Sequence, residues 1–454
     1  MLKMKGIKKY FGYGQILVIG FAIIILLGTF LLSLPIASNS GEWTPFLESL
    51  FTATSCTCVT GLVVHDTAEY FSIFGQIVIL CLIQIGGLGF FSIIVIFRMI
   101  FQRKMTTRDR QLLAQASGYF RIADVVKMTG FIIVGTLIVE FIGAAILSIR
   151  YVSQFGGVGI WYAVFTSISA FCNAGFDLNG VNYGAYSSMT AYSGDALVLI
   201  TLSILIILGG IGFIVWDDVI KNKWHFKEYS FHSKLALTTT FILIVVGTGL
   251  YLLFEFNNPL TMKDMSVGNK ILNAFFQSVT TRTAGFNAIE QGGLKESSLV
   301  LTLILMIIGG SPASTAGGIK TTTIAILVLN AVAAARNKNE VTSYKRRFDD
   351  KVIKQASAIG MIYLSLVVLS LLIIMPSLES KGFNFRSGIY AVFSAIGTVG
   401  LAHDVTAEFS VIAQVVLIIL MYTGRIGGLT IALFFSETHI DAKKERPVGD
   451  ALIG

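Results

Sequence analysis

Long apolar runs alternate with short polar breaks along the whole chain. Eight runs reach the length of about 20 apolar residues that a helix needs to cross a bilayer core. They cover residues 15–37, 75–97, 128–150, 195–216, 235–256, 298–330, 352–376 and 410–436, the sixth being interrupted. The pattern predicts an all-α polytopic membrane protein. Composition agrees, with 54% hydrophobic and 13% charged residues, where soluble domains carry roughly 25% charged. Only 6 prolines occur in 454 residues, and no long polar insert suggests a separate soluble domain.

Charge gives the spans a direction. Basic residues gather at the N-terminus (Lys3, Lys5, Lys8, Lys9), in the connection at 98–127, in 217–234 (Lys221, Lys223, Lys227, Lys234), in 336–354 and at Lys443, Lys444 and Arg446. The opposite connections hold few, chiefly Lys263, Lys270, Lys295, Lys381 and Arg386. The positive-inside rule then places both termini in the cytoplasm, as an even number of spans requires. The net charge of +8 is topological and dispersed, so it argues for no nucleic-acid partner. The basic start, "MLKMKGIKKYFGYGQ", runs into a span without a small-residue cleavage site and reads as a retained first helix. Cys56, Cys58, Cys81 and Cys172 have no accompanying histidine cluster, so they read as structural.

The outward connections share an unusual form. Each holds an apolar segment too short to span, then a glycine turn: "SCTCVTGLV", "SAFCNAGFD", "VTTRTAGFN" and "SAIGTVGLA". The glycines are Gly61, Gly175, Gly285 and Gly400, each followed by a large apolar residue. A second landmark recurs in the following span, as "IGGLGF", "LGGIGF", "IGGSPA" and "IGGLTI". Two landmarks in the same order, four times, mark internal repetition. The units are residues 1–110, 111–225, 226–340 and 341–454, each a span, a re-entrant pore segment and a span. Non-helical backbone at membrane depth is tolerated only inside protein or along a watery cavity. Four such turns on a pseudo-fourfold axis can present rings of backbone carbonyls to a cation. A short helix before each turn, such as one starting at Thr44-Pro45, points its negative end the same way. The alternative is that these glycines are ordinary turn residues in outer loops.

With these motifs the chain resembles the Trk/Ktr/HKT superfamily of cation translocators, and most closely the bacterial Ktr-type membrane subunit. Trk-type subunits carry two further N-terminal spans that are absent here. The resemblance implies potassium uptake through a selectivity filter formed by Val59, Thr60, Gly61, Asn173, Ala174, Gly175, Thr283, Ala284, Gly285, Thr398, Val399 and Gly400. It implies K+ as the permeant ion at the four glycines, Na+ as an activator, and no organic cofactor in this chain. It also implies a homodimer in the cytoplasmic membrane, regulated by a cytosolic RCK-type nucleotide-binding ring. In some plant relatives the first filter position is serine and sodium is favoured, whereas all four are glycine here.

Other residues carry narrower expectations. The sixth span is broken by Gly309, Gly310, Ser311, Pro312, Ala313, Ser314, Thr315, Ala316, Gly317 and Gly318, a poor helix by propensity. With Lys320 and Arg425 it forms a candidate gate, the alternative being close helix packing through small residues. Arg425 is expected to reach this loop's carbonyls or to face the pore, or else to snorkel to the inner interface. Glu140 calls for a polar partner within the membrane, and Glu255 for the outer end of its helix. His65-Asp66 and His403-Asp404 follow the first and fourth glycines and are candidates for an outer cation vestibule, or simply solvated loop. Arg282 stands where the third short helix should end, and an acidic or carbonyl partner is expected near it. A competing reading is a sodium- or proton-coupled alternating-access carrier. No metalloprotease or nucleophile motif suggests an enzyme.

Overall fold

The structure is a computed structural model that describes residues 13–89, 125–404 and 406–427. Among these residues nearly all regular structure is helical. The sheet is one hairpin pairing Thr342–Ser343 with Arg346–Arg347.

One order of helices recurs four times. A long helix comes first: Tyr13–Ser33, Val125–Phe155, Phe231–Glu255 and Asp350–Glu379. Each is long and apolar enough to cross a membrane. Their outward faces expose Leu27, Phe141, Leu253 and Leu372, which costs nothing against lipid tails. A short, largely buried helix follows: Phe46–Thr57, Val158–Phe171, Val267–Thr280 and Phe385–Gly397. Its start is set locally. Pro45 precedes the first of these helices, Ser266 caps the third by accepting from Asn269 N, and Asn384 caps the fourth by accepting from Ser387 N. A turn then leads to a second apolar helix: Ile73–Leu88, Ala196–Gly210, Glu296–Ile307 and Val411–Ile426.

The repeated glycine pair acquires a packing role. A β-carbon on Gly86 would lie 2.1 Å from the Thr57 carbonyl oxygen, and one on Gly209 would lie 1.9 Å from that of Phe171. These carbonyls end the first and second short helices. In the fourth unit the contact belongs to Gly424, 2.2 Å from the Ile396 carbonyl, three residues ahead of the pair. Only glycine lets the second helix lie against the end of the short one.

One expected span differs, one is interrupted as expected, and two have expected ends beyond the described residues. The fourth stops at Gly210 and turns by 97° into Phe213–Asn222, so residues 213–216 leave the span although they are apolar. Gly212, at a φ of +98°, makes the corner. The sixth is two helices, Glu296–Ile307 and Thr321–Ala335, joined by the small-residue loop. The second and eighth are followed to Leu88 and Ile426; their expected ends, and the basic termini, lie outside the described residues.

Glu255 is the last residue of its helix, Phe231–Glu255, and is fully buried. Its carboxylate accepts from Asn258 Nδ2 (2.6 Å), Thr261 Oγ1 (2.6 Å), Lys295 N (3.0 Å) and the Ser298 hydroxyl. It thereby ties the third long helix to the start of Glu296–Ile307. Glu255→Ala should lower the stability of the detergent-solubilised protein by about 3 kcal/mol or more, because several buried donors lose their acceptor. Glu255→Gln should cost less. Thermal unfolding followed by circular dichroism reads both.

Candidate permeation site

The four glycine turns meet. In each, φ is positive two residues before the glycine, at Val59 (56°), Asn173 (60°), Thr283 (77°) and Thr398 (52°). It is positive again at Gly61 (92°), Gly175 (72°), Gly285 (82°) and Gly400 (93°). Residues alternating in the sign of φ turn successive carbonyls toward one side. Each turn is closed onto its short helix by a backbone bond, from Thr60 N to Ser55 O (2.8 Å), Ala174 N to Ser169 O (2.8 Å), Ala284 N to Thr280 O (2.9 Å) and Val399 N to Ser394 O (2.8 Å).

Contacts between the turns form a closed cycle. A β-carbon on Gly61 would stand 2.4 Å from the carbonyl oxygen of Ala174, one on Gly175 2.8 Å from that of Ala284, one on Gly285 2.5 Å from that of Val399, and one on Gly400 2.2 Å from that of Thr60. The first turn thus touches the second, the second the third, the third the fourth, and the fourth the first. The Asn173 amide and the Thr283 hydroxyl, 3.2 Å apart, add a side-chain link between the second and third. Four short helices bring their carbonyl ends to this cycle, and aligned peptide dipoles favour a cation there. All twelve filter candidates lie in these turns.

One side of the ring opens into a cavity of about 570 Å³. All four glycines line it, together with Asp66, Asp177, Glu290, His403, Asp404 and Glu408. His403 is paired to Asp404 at 2.8 Å, and Asp66 accepts from Tyr186 N at 2.9 Å, so these residues are held in place. His65 stands apart from that lining, stacked on Tyr70 and bonded to Glu48 at 2.6 Å.

The small-residue loop lies against the other side. A β-carbon on Gly317 would lie 2.1 Å from Thr398 Oγ1. Loop amides donate to the end of the bent fourth span, Ser311 N to Gly210 O (2.9 Å) and Thr315 N to Gly209 O (3.1 Å), while Phe213 N donates to Ala313 O (2.7 Å). Lys320 Nζ donates to the Ala316 carbonyl at 2.6 Å. Arg425 donates to the carbonyls of Thr315 and Gly86, and to that of Gly87 at 3.1 Å. Its guanidinium therefore faces inward to the loop and not outward to the interface.

The model of the TrkH cation transport proteins matches residues 15–446, a stretch containing every one of these turns and the loop. This chain belongs to the TrkH family. It is 37% identical to the potassium/sodium uptake protein NtpJ of Enterococcus hirae, covering 99% of both chains. It is 38% identical to the Ktr system potassium uptake protein B of Bacillus subtilis, over 97% of this chain and 96% of that one. The crystal structure of the potassium transporter TrkH from Vibrio parahaemolyticus shares the fold, with a TM-score of 0.68 at 19% identity over 93% of this chain and 85% of that one. This is a multi-pass membrane protein of a transporter family, not an enzyme.

Two further expectations for the TrkH-family chain have different outcomes. Glu140 has its polar partner, Gln84, whose amide donates to both carboxylate oxygens at 3.0 and 3.2 Å. Arg282 does not. The third short helix ends at Thr280, close to where Arg282 was expected to follow it. The side chain is 7% exposed, yet Nε and Nη1 have no hydrogen-bond partner among the described residues. No ion pair among the described residues involves it.

A group of bracing hydroxyls went unremarked in the sequence. Ser55 Oγ accepts from Gly61 N (3.1 Å), Ser169 Oγ from Phe176 N (2.9 Å) and Ser394 Oγ from Gly400 N (3.1 Å). The signal was present as a serine six residues before three of the glycines. In the third unit that place is Val279, and Thr280 braces the turn by donating to Phe286 O at 2.6 Å.

Burial beneath the vestibule raises the Asp177 carboxyl to about 7; the Asn179 amide opposes this and neighbouring Asp66 adds to it. Asp177 is therefore charged above that pH and neutral below it. Cation entry from the vestibule side should fall about twofold or more as pH drops from about 8 to about 6. Asp177→Asn should flatten that profile in rubidium uptake by proteoliposomes.

Proposed function

We propose that this chain conducts potassium into the cell through the ring of glycine turns, each of its four units supplying one wall of a selectivity filter. The observation that carries this reading is the closed cycle of contacts from the first turn through the fourth and back. Backbone carbonyls so disposed replace the hydration shell of a potassium ion, and ring geometry makes all four walls act on one ion. The potassium uptake function named for the relatives from Bacillus subtilis and Enterococcus hirae supports it. A two-repeat carrier has no need of a fourfold ring, which counts against alternating access.

In this reading the vestibule is the outer mouth and both termini lie in the cytoplasm of a cell whose cytoplasmic membrane holds the protein. The loop Gly309–Gly318 is the gate, latched by Arg425 and Lys320. The working assembly is a homodimer carrying a cytosolic nucleotide-binding ring, with Na+ as activator. The name of the Ktr system relative supports a system of several components.

Gly61→Ser tests the filter. The new Cβ meets the neighbouring carbonyl and the positive φ becomes costly, so the preference for rubidium over sodium in proteoliposome flux should fall about tenfold. Unchanged selectivity in a folded variant sinks the assignment. Removing three or four residues from within Gly309–Gly318 tests the gate separately. Flux should rise with selectivity retained, whereas a folded but non-conducting protein would favour the packing role.

A further inference from the structure

The connection after the bent fourth span has chemistry that the filter and loop do not use. Phe213–Asn222 leaves Ala196–Gly210 at 97°, on the side of the ring opposite the vestibule. A helix at right angles to a span runs roughly parallel to the membrane plane. Its apolar Val219 and Ile220 are exposed, and Trp224 just beyond it is 97% exposed. Phe226 follows, with its ring 6.4 Å from that of Tyr344.

Tyr344 belongs to a different connection. It and Lys345 form the two-residue tip of the Thr342–Arg347 hairpin, with φ of 47° and 62°, as a tight primed turn requires. The Tyr344 hydroxyl is held 2.5 Å from Thr238 Oγ1. Two connections thus combine into one aromatic and basic surface. Lys221 and Arg347 are spent on Asp217 (2.6 Å) and Glu340 (3.0 Å). Lys223, Lys227, Lys345 and Arg346 are exposed and make no ion pair among the described residues. Asp218 is occupied by Ser230 N and the Ser233 hydroxyl, leaving Glu228 as the exposed acid in that stretch.

Both connections are tied to the small-residue loop. Phe213 N and the carbonyls of Gly209 and Gly210 bond the loop directly, and Gly212 has its β-position 2.6 Å from the Pro312 carbonyl. Thr321 N bonds Gly310 O at 3.0 Å, and the helix Thr321–Ala335 runs from there toward the hairpin. A force on the surface reaches the loop from both ends.

We propose that Trp224, Phe226 and Tyr344, with Lys223, Lys345 and Arg346, dock anionic phospholipid headgroups of the leaflet they face, and that this contact favours the open arrangement of the loop. Aromatic rings with polar edges settle at headgroup depth, and unpaired cations beside them select anionic lipid, each by about fivefold in association. A soluble acidic protein would need no helix laid in the membrane plane with an exposed tryptophan beyond its end. The second half of the proposal rests on the loop's being the gate.

The test reconstitutes the full chain into vesicles of phosphatidylcholine alone or with about a third phosphatidylglycerol, with brominated acyl chains. Emission from Trp224, taken as the difference from Trp224→Phe, reports lipid contact, and rubidium uptake reports the loop. Anionic vesicles should quench Trp224 more strongly and raise uptake about twofold or more, with both increments shrinking at about 0.5 M salt. Lys223→Gln, Lys345→Gln and Arg346→Gln together should remove the increments and leave the rubidium-to-sodium preference unchanged. The variant with Lys223→Arg, Lys345→Arg and Arg346→Lys should keep them. Equal quenching in both vesicles, or increments that survive charge removal, overturns the proposal. So does a Trp224 that brominated lipid cannot reach but an added acidic protein protects. If no vesicle shows uptake, the conduction reading fails, while quenching still decides the lipid contact.

Discussion

The structure depends on a contact between four stretches of backbone that no side chain can enter. Each turn rests the carbonyl before its glycine against the glycine of the preceding turn. That leaves polar backbone at membrane depth without the hydrogen bonds a helix would supply, a state tolerated only when the groups face a cavity or protein. The short helices exist to hold these turns. Their carbonyl ends need the close approach of Gly86, Gly209 and Gly424, and their hydroxyls at Ser55, Ser169, Thr280 and Ser394 brace the turns.

Fourfold likeness stops beneath the ring. In three units the second helix passes its short helix directly, while in the third it opens into a loop that reaches across to the second and fourth. Ser311 and Thr315 bond the end of the fourth span, and Arg425 of the eighth bonds Thr315. The asymmetry sets one loop, from the third unit alone, against Thr398 of the fourth turn. Arg425 also bonds Gly86 and Gly87, so a single guanidinium joins the first, third and fourth units.

Much of this was legible in the chain because the constraint recurs. One glycine turn is ambiguous, but four with the same flanking pattern follow from a shared geometry, and the candidate filter residues all fall within it. The break in the sixth span was visible as ten residues that helices disfavour. Less was legible where contacts are unique to one unit. Phe213-Ile214-Val215-Trp216 continues the hydropathy of the fourth span, yet Gly212 turns the chain aside because its carbonyl and amide neighbours bond the loop. The contact glycine of the fourth unit is Gly424, three residues before the positive-φ Gly427, as Gly86 and Gly209 stand before Gly89 and Gly212. The glycine pair read there as the repeated landmark was out of register. Arg282 invited an acidic or carbonyl partner, and its Nε and Nη1 find none among the described residues.

By itself the sequence determined the membrane class, the order of long and short helices, the four turns and the interrupted span. These follow from burial in lipid and from backbone conformations that glycine permits, both of which leave local marks. Tertiary structure decided which turn touches which, that the cycle closes, where Arg425 points, and that two distant basic connections share one surface. Such choices depend on atoms brought together from over a hundred residues apart, and no local pattern of hydropathy or propensity records them.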